Sequence, residues 1–150
     1  MNSLNLGWSP SYATGIQIID DQHKRLFDYF DEVDKAITSR DTKNLEVIVH
    51  GLVSYAISHN AYEESLMEQA GYPMLVAHRA VHETFKVRAM DFLKKYDEGT
   101  DPLKVAEQAR IFIGLWLTSH VKNDDQDYVP YVKKITNKGV FSTLLGKFFR

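Results

Sequence analysis

The chain of 150 residues has 18 basic and 20 acidic side chains, a net charge of −2, and 44% hydrophobic residues. These values are typical of one soluble globular domain. A chain of this length can bury roughly 70% of the surface that it exposes when unfolded, so it can hold a core without cross-links. The lack of a basic excess argues against a nucleic-acid partner. Because there is no cysteine, disulfide scaffolds, iron–sulfur clusters and thiolate zinc sites are excluded.

The N-terminal stretch does not have the pattern of a targeting segment. It is rich in polar residues and carries no basic group before its first charged residue, Asp20, whereas a signal peptide begins with a basic region and continues with an apolar one. No later stretch reaches the roughly 18 apolar residues that a membrane span needs. We therefore expect a cytoplasmic protein.

Apolar residues recur at helical spacing in four segments of the chain. Gly71 and Gly99 are stop signals, and Asp101 is a natural N-cap with Pro102 at the first helical position. Four amphipathic helices with short connections predict an all-α fold, an antiparallel up-down four-helix bundle. The predicted helices span residues 19–39, 42–68, 73–96 and 102–121.

Metal-binding side chains lie in phase with the apolar stripes of all four helices. Burying five imidazoles and a carboxylate is costly unless their polar atoms find partners, and a bound metal ion provides such a partner directly. The remaining histidine, His50, lies off the stripe, and we interpret it as structural or solvated. The inward-facing residues are His23 on the first helix, His59 and Glu63 on the second, His78 and His82 on the third, and His120 on the fourth.

The residue types narrow the kind of metal site. The spacing of His78 and His82 occurs in zinc proteases, but Arg79 stands where their catalytic glutamate would be. The Glu-x-x-His motif of ferritin-like di-iron proteins does not occur in the chain. Five histidines are too many for one tetrahedral zinc, so two metals fit better. Glu63 is one candidate bridging carboxylate, and the cluster of Asp124, Asp125 and Asp127 supplies another.

Several spaced motifs together resemble the hemerythrin family in its bacterial branch. The resemblance runs from Trp8 to about Tyr131. It implies a hemerythrin-like di-iron domain over residues 1–135, with an N-terminal arm of residues 1–18, followed by a tail of residues 136–150. The motifs are Asp-Gln-His at 21–23, His-x-x-x-Glu at 59–63, Gly-Tyr-Pro at 71–73, His-x-x-x-His at 78–82, and then Trp116, His120, Asp125 and Tyr128.

The resemblance also implies the cofactor and its ligands. Two non-haem iron ions would share an oxo or hydroxo bridge and take dioxygen as a ligand at one open position. The family's aspartate follows the last histidine by five residues, which selects Asp125 and leaves Asp124 as a solvated neighbour. By this resemblance His78, His82 and His120 bind one iron, His23 and His59 bind the other iron that takes dioxygen, and Glu63 and Asp125 bridge the pair.

Two features depart from the family pattern. Asn60 stands where the family usually has an aromatic residue, next to the first histidine of the second helix. The tail carries a short apolar stripe flanked by basic residues, and we expect it to pack on its own bundle, with a partner or an anionic membrane surface as the alternative. The stripe consists of Phe141, Leu144, Leu145 and Phe148, and its basic flanks are Lys138, Lys147 and Arg150.

The leading functional prediction is a monomer that binds dioxygen reversibly, as a carrier, store or sensor, without being an enzyme. Its expected partners are dioxygen and, through the tail, an oxygen-consuming enzyme or a membrane surface. One alternative is an enzyme whose di-iron centre reduces peroxide or nitric oxide. Another is a bundle that binds adventitious zinc and serves in interactions, but that hypothesis leaves the spacing of the bridging carboxylates unexplained.

Overall fold

The computed structural model describes residues 7–135 and 138–149, and it contains no β-strand within those ranges. A 3-10 turn at Pro10–Tyr12 precedes the first helix, and a π-helical turn at His120–Asp124 follows the fourth. The predicted all-α bundle is confirmed. The helices are α1 Gln17–Ser39, α2 Thr42–Ala70, α3 Leu75–Asp97, α4 Pro102–Ser119, α5 Asp125–Lys133 and α6 Lys138–Phe148.

The four long helices form a closed bundle because short connections reverse the chain between them. Each long helix packs against the next, and α4 returns to α1. The side chain of Asp41 caps α2, and that of Asp101 accepts the Leu103 backbone N–H at 3.2 Å to cap α4. Gly71, with φ of 68°, ends α2 in the left-handed conformation. The predicted boundaries of the four helices lie within two residues of the observed ones, but the further helical segment after Val121 was not predicted.

Two apolar clusters fill the bundle, and the polar residues of interest lie between them. Along α1, His23 separates Ile19 of one cluster from Leu26 of the other. Along α2, His59 lies between Ala56 of the larger cluster and Leu66 of the smaller one. The inward-facing histidines are therefore enclosed by packed side chains at both ends of the bundle.

The tail helix packs on the bundle, as the sequence predicts. The Tyr62 hydroxyl donates a hydrogen bond to the Phe141 carbonyl at 3.3 Å, and the rings of Tyr62 and Phe148 meet edge to face. The ring of Phe149 lies 5.3 Å from that of Tyr55 on α2. None of the helices in the described part of the chain is long and apolar enough to cross a membrane.

Deleting residues 136–150 should therefore destabilise the bundle and reduce its solubility. The deletion uncovers apolar side chains around Tyr62 that α6 now shields from water. We expect the free energy of unfolding to fall by at least about 1 kcal/mol, or roughly 2–4 °C in Tm, with increased binding of a hydrophobic dye. Lys147→Ala, at an exposed position of the same helix, is the control. An unchanged Tm and solubility after the deletion would contradict the packing role of the tail.

Candidate metal centre

The structure brings together all seven residues that the sequence nominates as ligands. Each is at least 94% buried. Their ligand atoms form two groups, and within each group all the atoms lie within 4.8 Å of one another. Glu63 and Asp125 belong to both groups. The first group adds His78, His82 and His120, and the second adds His23 and His59.

Helical spacing accounts for two of the pairs. His59 and Glu63 are one turn apart on α2, and their Nε2 and Oε1 atoms are 3.1 Å apart. His78 and His82 are one turn apart on α3, with ring centroids 4.5 Å apart. His23 enters from α1, where its Nε2 is 3.5 Å from Glu63.

The π-helical turn at His120–Asp124 brings Asp125 to the centre. In a regular α-helix, Asp124 rather than Asp125 would share the inner face with His120. Here the Asp125 backbone N–H donates to the His120 carbonyl, five residues back, which is the hydrogen bond of a π-helix. The wider turn rotates Asp125 inward, so that its Oδ1 lies 2.9 Å from His120 Nε2. The five-residue spacing thus has a local structural cause.

Several buried polar atoms at the centre have no hydrogen-bond partner. They include His23 Nε2, His78 Nε2, Glu63 Oε1 and both carboxylate oxygens of Asp125. Orphaned buried polar atoms are costly. Imidazole nitrogens and carboxylate oxygens that converge in this way are the donors that iron, zinc and copper take in proteins. The donor set therefore fits one or more metal ions.

The facing rings of His82 and His120 lead to the same conclusion. Their Nε2 atoms are 2.9 Å apart, while each Nδ1 lies 2.9 Å from a carboxylate, Glu64 for His82 and Asp124 for His120. If each Nδ1 donates its hydrogen to that carboxylate, both Nε2 atoms of the neutral rings carry lone pairs. Two lone pairs at this distance repel each other unless a proton or a cation satisfies them. A tautomer with its Nδ1 hydrogen on a carboxylate and its Nε2 lone pair directed at the centre is the one that a metal-binding imidazole uses.

Neighbouring side chains hold the candidate ligands in place. His59 Nδ1 lies 2.6 Å from Gln22 Oε1, and the hydroxyl of buried Tyr128 donates to Glu63. The indole of Trp116 stacks on the ring of His120 with centroids 4.3 Å apart. The sequence alone suggested no role for Gln22, although this residue belongs to the Asp-Gln-His motif.

The structure corrects the interpretation of Asp124 as merely a solvated neighbour. Its side chain is about half exposed, but its carboxylate also accepts the Nδ1 hydrogen of His120. His50 lies away from the centre, with its ring nitrogen 3.9 Å from Glu46, as expected for a histidine outside the site.

The charges of the metal-free centre are strongly coupled. Burial alone would lower the pKa of His23, but the carboxylates of Asp125 and Glu63 outweigh it and raise the pKa to about 9. For His120, burial is outweighed in the same way by Asp125 and Glu63, and its pKa rises to about 9. Burial opposes ionisation of Glu63 and Asp125, yet the neighbouring histidines hold the pKa of each carboxyl below its ordinary value. Without a metal, protons on histidine balance the two carboxylates.

This coupling predicts how the stability of the metal-free protein depends on pH. The raised pKa of His23 and of His120 contributes stability that is complete below about pH 6.5 and is lost as the pH rises through about 9. The lowered pKa of each carboxyl contributes stability that is lost in acid. We expect Tm, measured with a chelator present, to fall from pH 6.5 to 9 and to do so equally in a His50→Gln control. A Tm that stays constant or rises across this window would contradict the assigned protonation.

The chain is similar in sequence and in fold to known proteins. The family model for the hemerythrin HHE cation binding domain matches residues 14–132. The bacteriohemerythrin of Stenotrophomonas maltophilia is 35% identical over 133 residues, which is 89% of this chain and 85% of that protein. That of Pseudomonas aeruginosa is 35% identical over 129 residues, 86% of this chain and 82% of that protein. A crystal structure of wild-type hemerythrin aligns with a TM-score of 0.79 at 26% identity, covering 85% of this chain and 98% of its own.

Proposed function

The chain belongs to the hemerythrin family, and we propose that it binds dioxygen reversibly at a centre of two non-haem iron ions. Family membership supports oxygen binding at a metal site. The observation that supports two ions is the pair of overlapping donor groups that share Glu63 and Asp125. A single ion could not use all five imidazoles and both carboxylates at ordinary coordination numbers.

The donor groups indicate which residues would hold each ion. We assign one ion to His78, His82 and His120 and the other ion to His23 and His59. Glu63 and Asp125, which belong to both groups, would bind both ions. An oxo or hydroxo bridge would complete the pair. Two ferrous ions bound there would supply the electrons that reversible dioxygen binding needs. The group with two imidazoles has fewer protein ligands, so we place dioxygen on that side.

The protein's own contribution is to exclude water and to fix the ligands. His23 and Asp125 are 0% exposed, and Glu63 is 1% exposed. Tyr128 donates a hydrogen bond to Glu63, and Gln22 accepts one from His59, so one bridging carboxylate and one imidazole are fixed in orientation. A buried centre that excludes water limits access of protons and reductants to a bound ligand, which favours its release over further reaction.

The same burial leads us to propose a carrier, store or sensor rather than an enzyme. We further propose that it acts as a monomer in the cytoplasm. The competing hypothesis is a di-iron enzyme that reduces peroxide or nitric oxide. Sustained consumption of either substrate with an added reductant would favour the enzyme. We expect no turnover above the rate of free ferrous iron.

Anaerobic titration of the metal-free protein with ferrous iron tests the number of ions. We expect saturation at about two irons per chain, since the five imidazoles and two carboxylates are shared between two ions. His50→Ala should behave like the unmodified chain, because His50 lies outside the centre. Saturation at about one iron per chain, or a protein that binds zinc but not iron, would overturn the two-iron proposal.

A further inference from the structure

The two groups of histidines differ in what their outer ring nitrogens contact. On the side with three histidines, His82 donates to Glu64 and His120 to Asp124, both at 2.9 Å. On the other side, His59 donates to the neutral amide of Gln22 at 2.6 Å, and the buried Nδ1 of His23 has no partner. The outer nitrogens on the three-histidine side therefore contact two carboxylates, whereas those of His23 and His59 contact no carboxylate.

A carboxylate that accepts a hydrogen bond from an imidazole makes that imidazole a more basic ligand. A more basic ligand, with a negative charge behind it, stabilises the higher oxidation state of the metal. We propose that Glu64 and Asp124 are positioning residues that lower the reduction potential of the ion held by His78, His82 and His120 relative to its neighbour. This inference rests on the proposed two-iron function.

Glu64 is held in this role by a further ion pair. Arg79 Nε lies 3.2 Å from Glu64 Oε1, and a terminal nitrogen of Arg79 lies 3.3 Å from Glu68. Arg79 therefore fixes the Glu64 carboxylate and also partly neutralises it. Removing the cation should strengthen the effect of the carboxylate on His82, whereas removing the carboxylate should abolish it. Opposite effects of the two substitutions distinguish an electrostatic role from mere structural support.

The surroundings make Glu64 a suitable position for substitution. Glu64, Arg79 and His82 line a cavity of about 440 Å³ between α2 and α3 that is open to solvent and also lined by Asn60. The Glu64 side chain is 22% exposed. An amide at this position can be hydrated from the cavity, so Glu64→Gln does not bury an unsatisfied group.

The test is a redox titration of the iron-loaded protein, in which ferricyanide removes one electron from each ferrous ion in turn. We expect Glu64→Gln to raise the potential of the first oxidation by about 59 mV, equivalent to a tenfold change in the one-electron equilibrium constant. Arg79→Gln should shift it in the opposite direction. Glu64→Asp retains the charge and should restore most of the original value. Glu83→Gln, an exposed position lining the same cavity, is the matched control.

The reciprocal substitution tests the asymmetry itself. Gln22→Glu places a carboxylate behind His59, so it should lower the potential of the second oxidation and narrow the gap between the two. In the half-oxidised protein, Mössbauer and electron-nuclear double resonance spectra should assign the ferric ion to the three-histidine side, with a nitrogen signal that Glu64→Gln alters.

Two results would overturn the inference. Potentials that stay unchanged in Glu64→Gln, or that shift in the same direction in Glu64→Gln and Arg79→Gln, exclude an electrostatic role for Glu64. If Glu64→Gln fails to load iron, the Arg79→Gln variant tests the inference by itself: a lower potential of the first oxidation supports it, and an unchanged or higher potential refutes it. Failure of the unmodified chain to bind two irons would refute the proposed function, and this inference with it, whereas a normal two-iron centre with unmoved potentials refutes the inference alone.

Discussion

Asp125→Asn is expected to yield a folded bundle that retains about one iron at most and does not bind dioxygen. The Asp125 carboxylate lies at the junction of the two donor groups, with His120 at 2.9 Å, His23 at 3.2 Å and His78 at 3.3 Å. An amide has no negative charge to balance the ions and only one oxygen to offer. Iron content and the visible spectrum after exposure to oxygen measure the effect.

The matched control for this substitution is Asp127→Asn. Asp127 belongs to the same acidic cluster and is exposed, so its substitution removes a similar charge from a nearby position without removing a ligand. It should keep the iron content and oxygen binding of the unmodified chain. Equal losses in both variants would indicate a general charge effect, and full oxygen binding by Asp125→Asn would exclude Asp125 as a bridging ligand.

His59→Ala is expected to abolish oxygen binding. The substitution leaves His23 as the only imidazole on the side where we place dioxygen, and it deprives Glu63 of a neighbour at 3.1 Å. Removing a residue that only hydrogen-bonds to a metal ligand typically lowers metal affinity by about 10- to 100-fold. Because His59→Ala removes the ligand itself, we expect a loss at least as large. Oxygen uptake measured by optical titration checks the result.

His50→Ala is the control for this second substitution, because it removes an imidazole from the same helix outside the centre. It should bind oxygen normally. Reversible binding of oxygen by His59→Ala at full stoichiometry would show that the position assigned to dioxygen is wrong.

Much of the centre could be predicted because helical periodicity is local. His59 and Glu63, like His78 and His82, fall on the inner face of their helices simply from their spacing of four residues. The bundle followed from the same periodicity, and its helix boundaries followed from capping and stop signals such as those at Asp101 and Gly71.

The placement of Asp125 could not be predicted from periodicity. Regular helical spacing from His120 favours Asp124, and only the family resemblance selected Asp125. The structure gives the reason, which is the π-helical turn that inserts an extra residue between the two. No propensity rule places such a turn from the sequence alone.

The outer hydrogen bonds could not be predicted for a different reason. Gln22 and His59 are 37 residues apart, and Tyr128 and Glu63 are 65 apart. Such contacts depend on how each helix is rotated and shifted against its neighbours. The pattern of apolar residues shows which face of a helix is buried, but it does not fix the exact rotation or shift. The pairing of His82 with Glu64 likewise needs the observed packing of α2 against α3.

The most direct test of reversible oxygen binding by two irons is the visible spectrum of one iron-loaded sample through a full oxygen cycle. The protein is reduced without air, exposed to oxygen, purged with inert gas and exposed again, and its iron content is counted. We predict about two irons per chain and a colour that appears with oxygen, disappears on purging and returns in full. Irreversible oxidation in the first cycle would contradict reversible binding, and a colourless protein with zinc or no metal would contradict the iron centre itself.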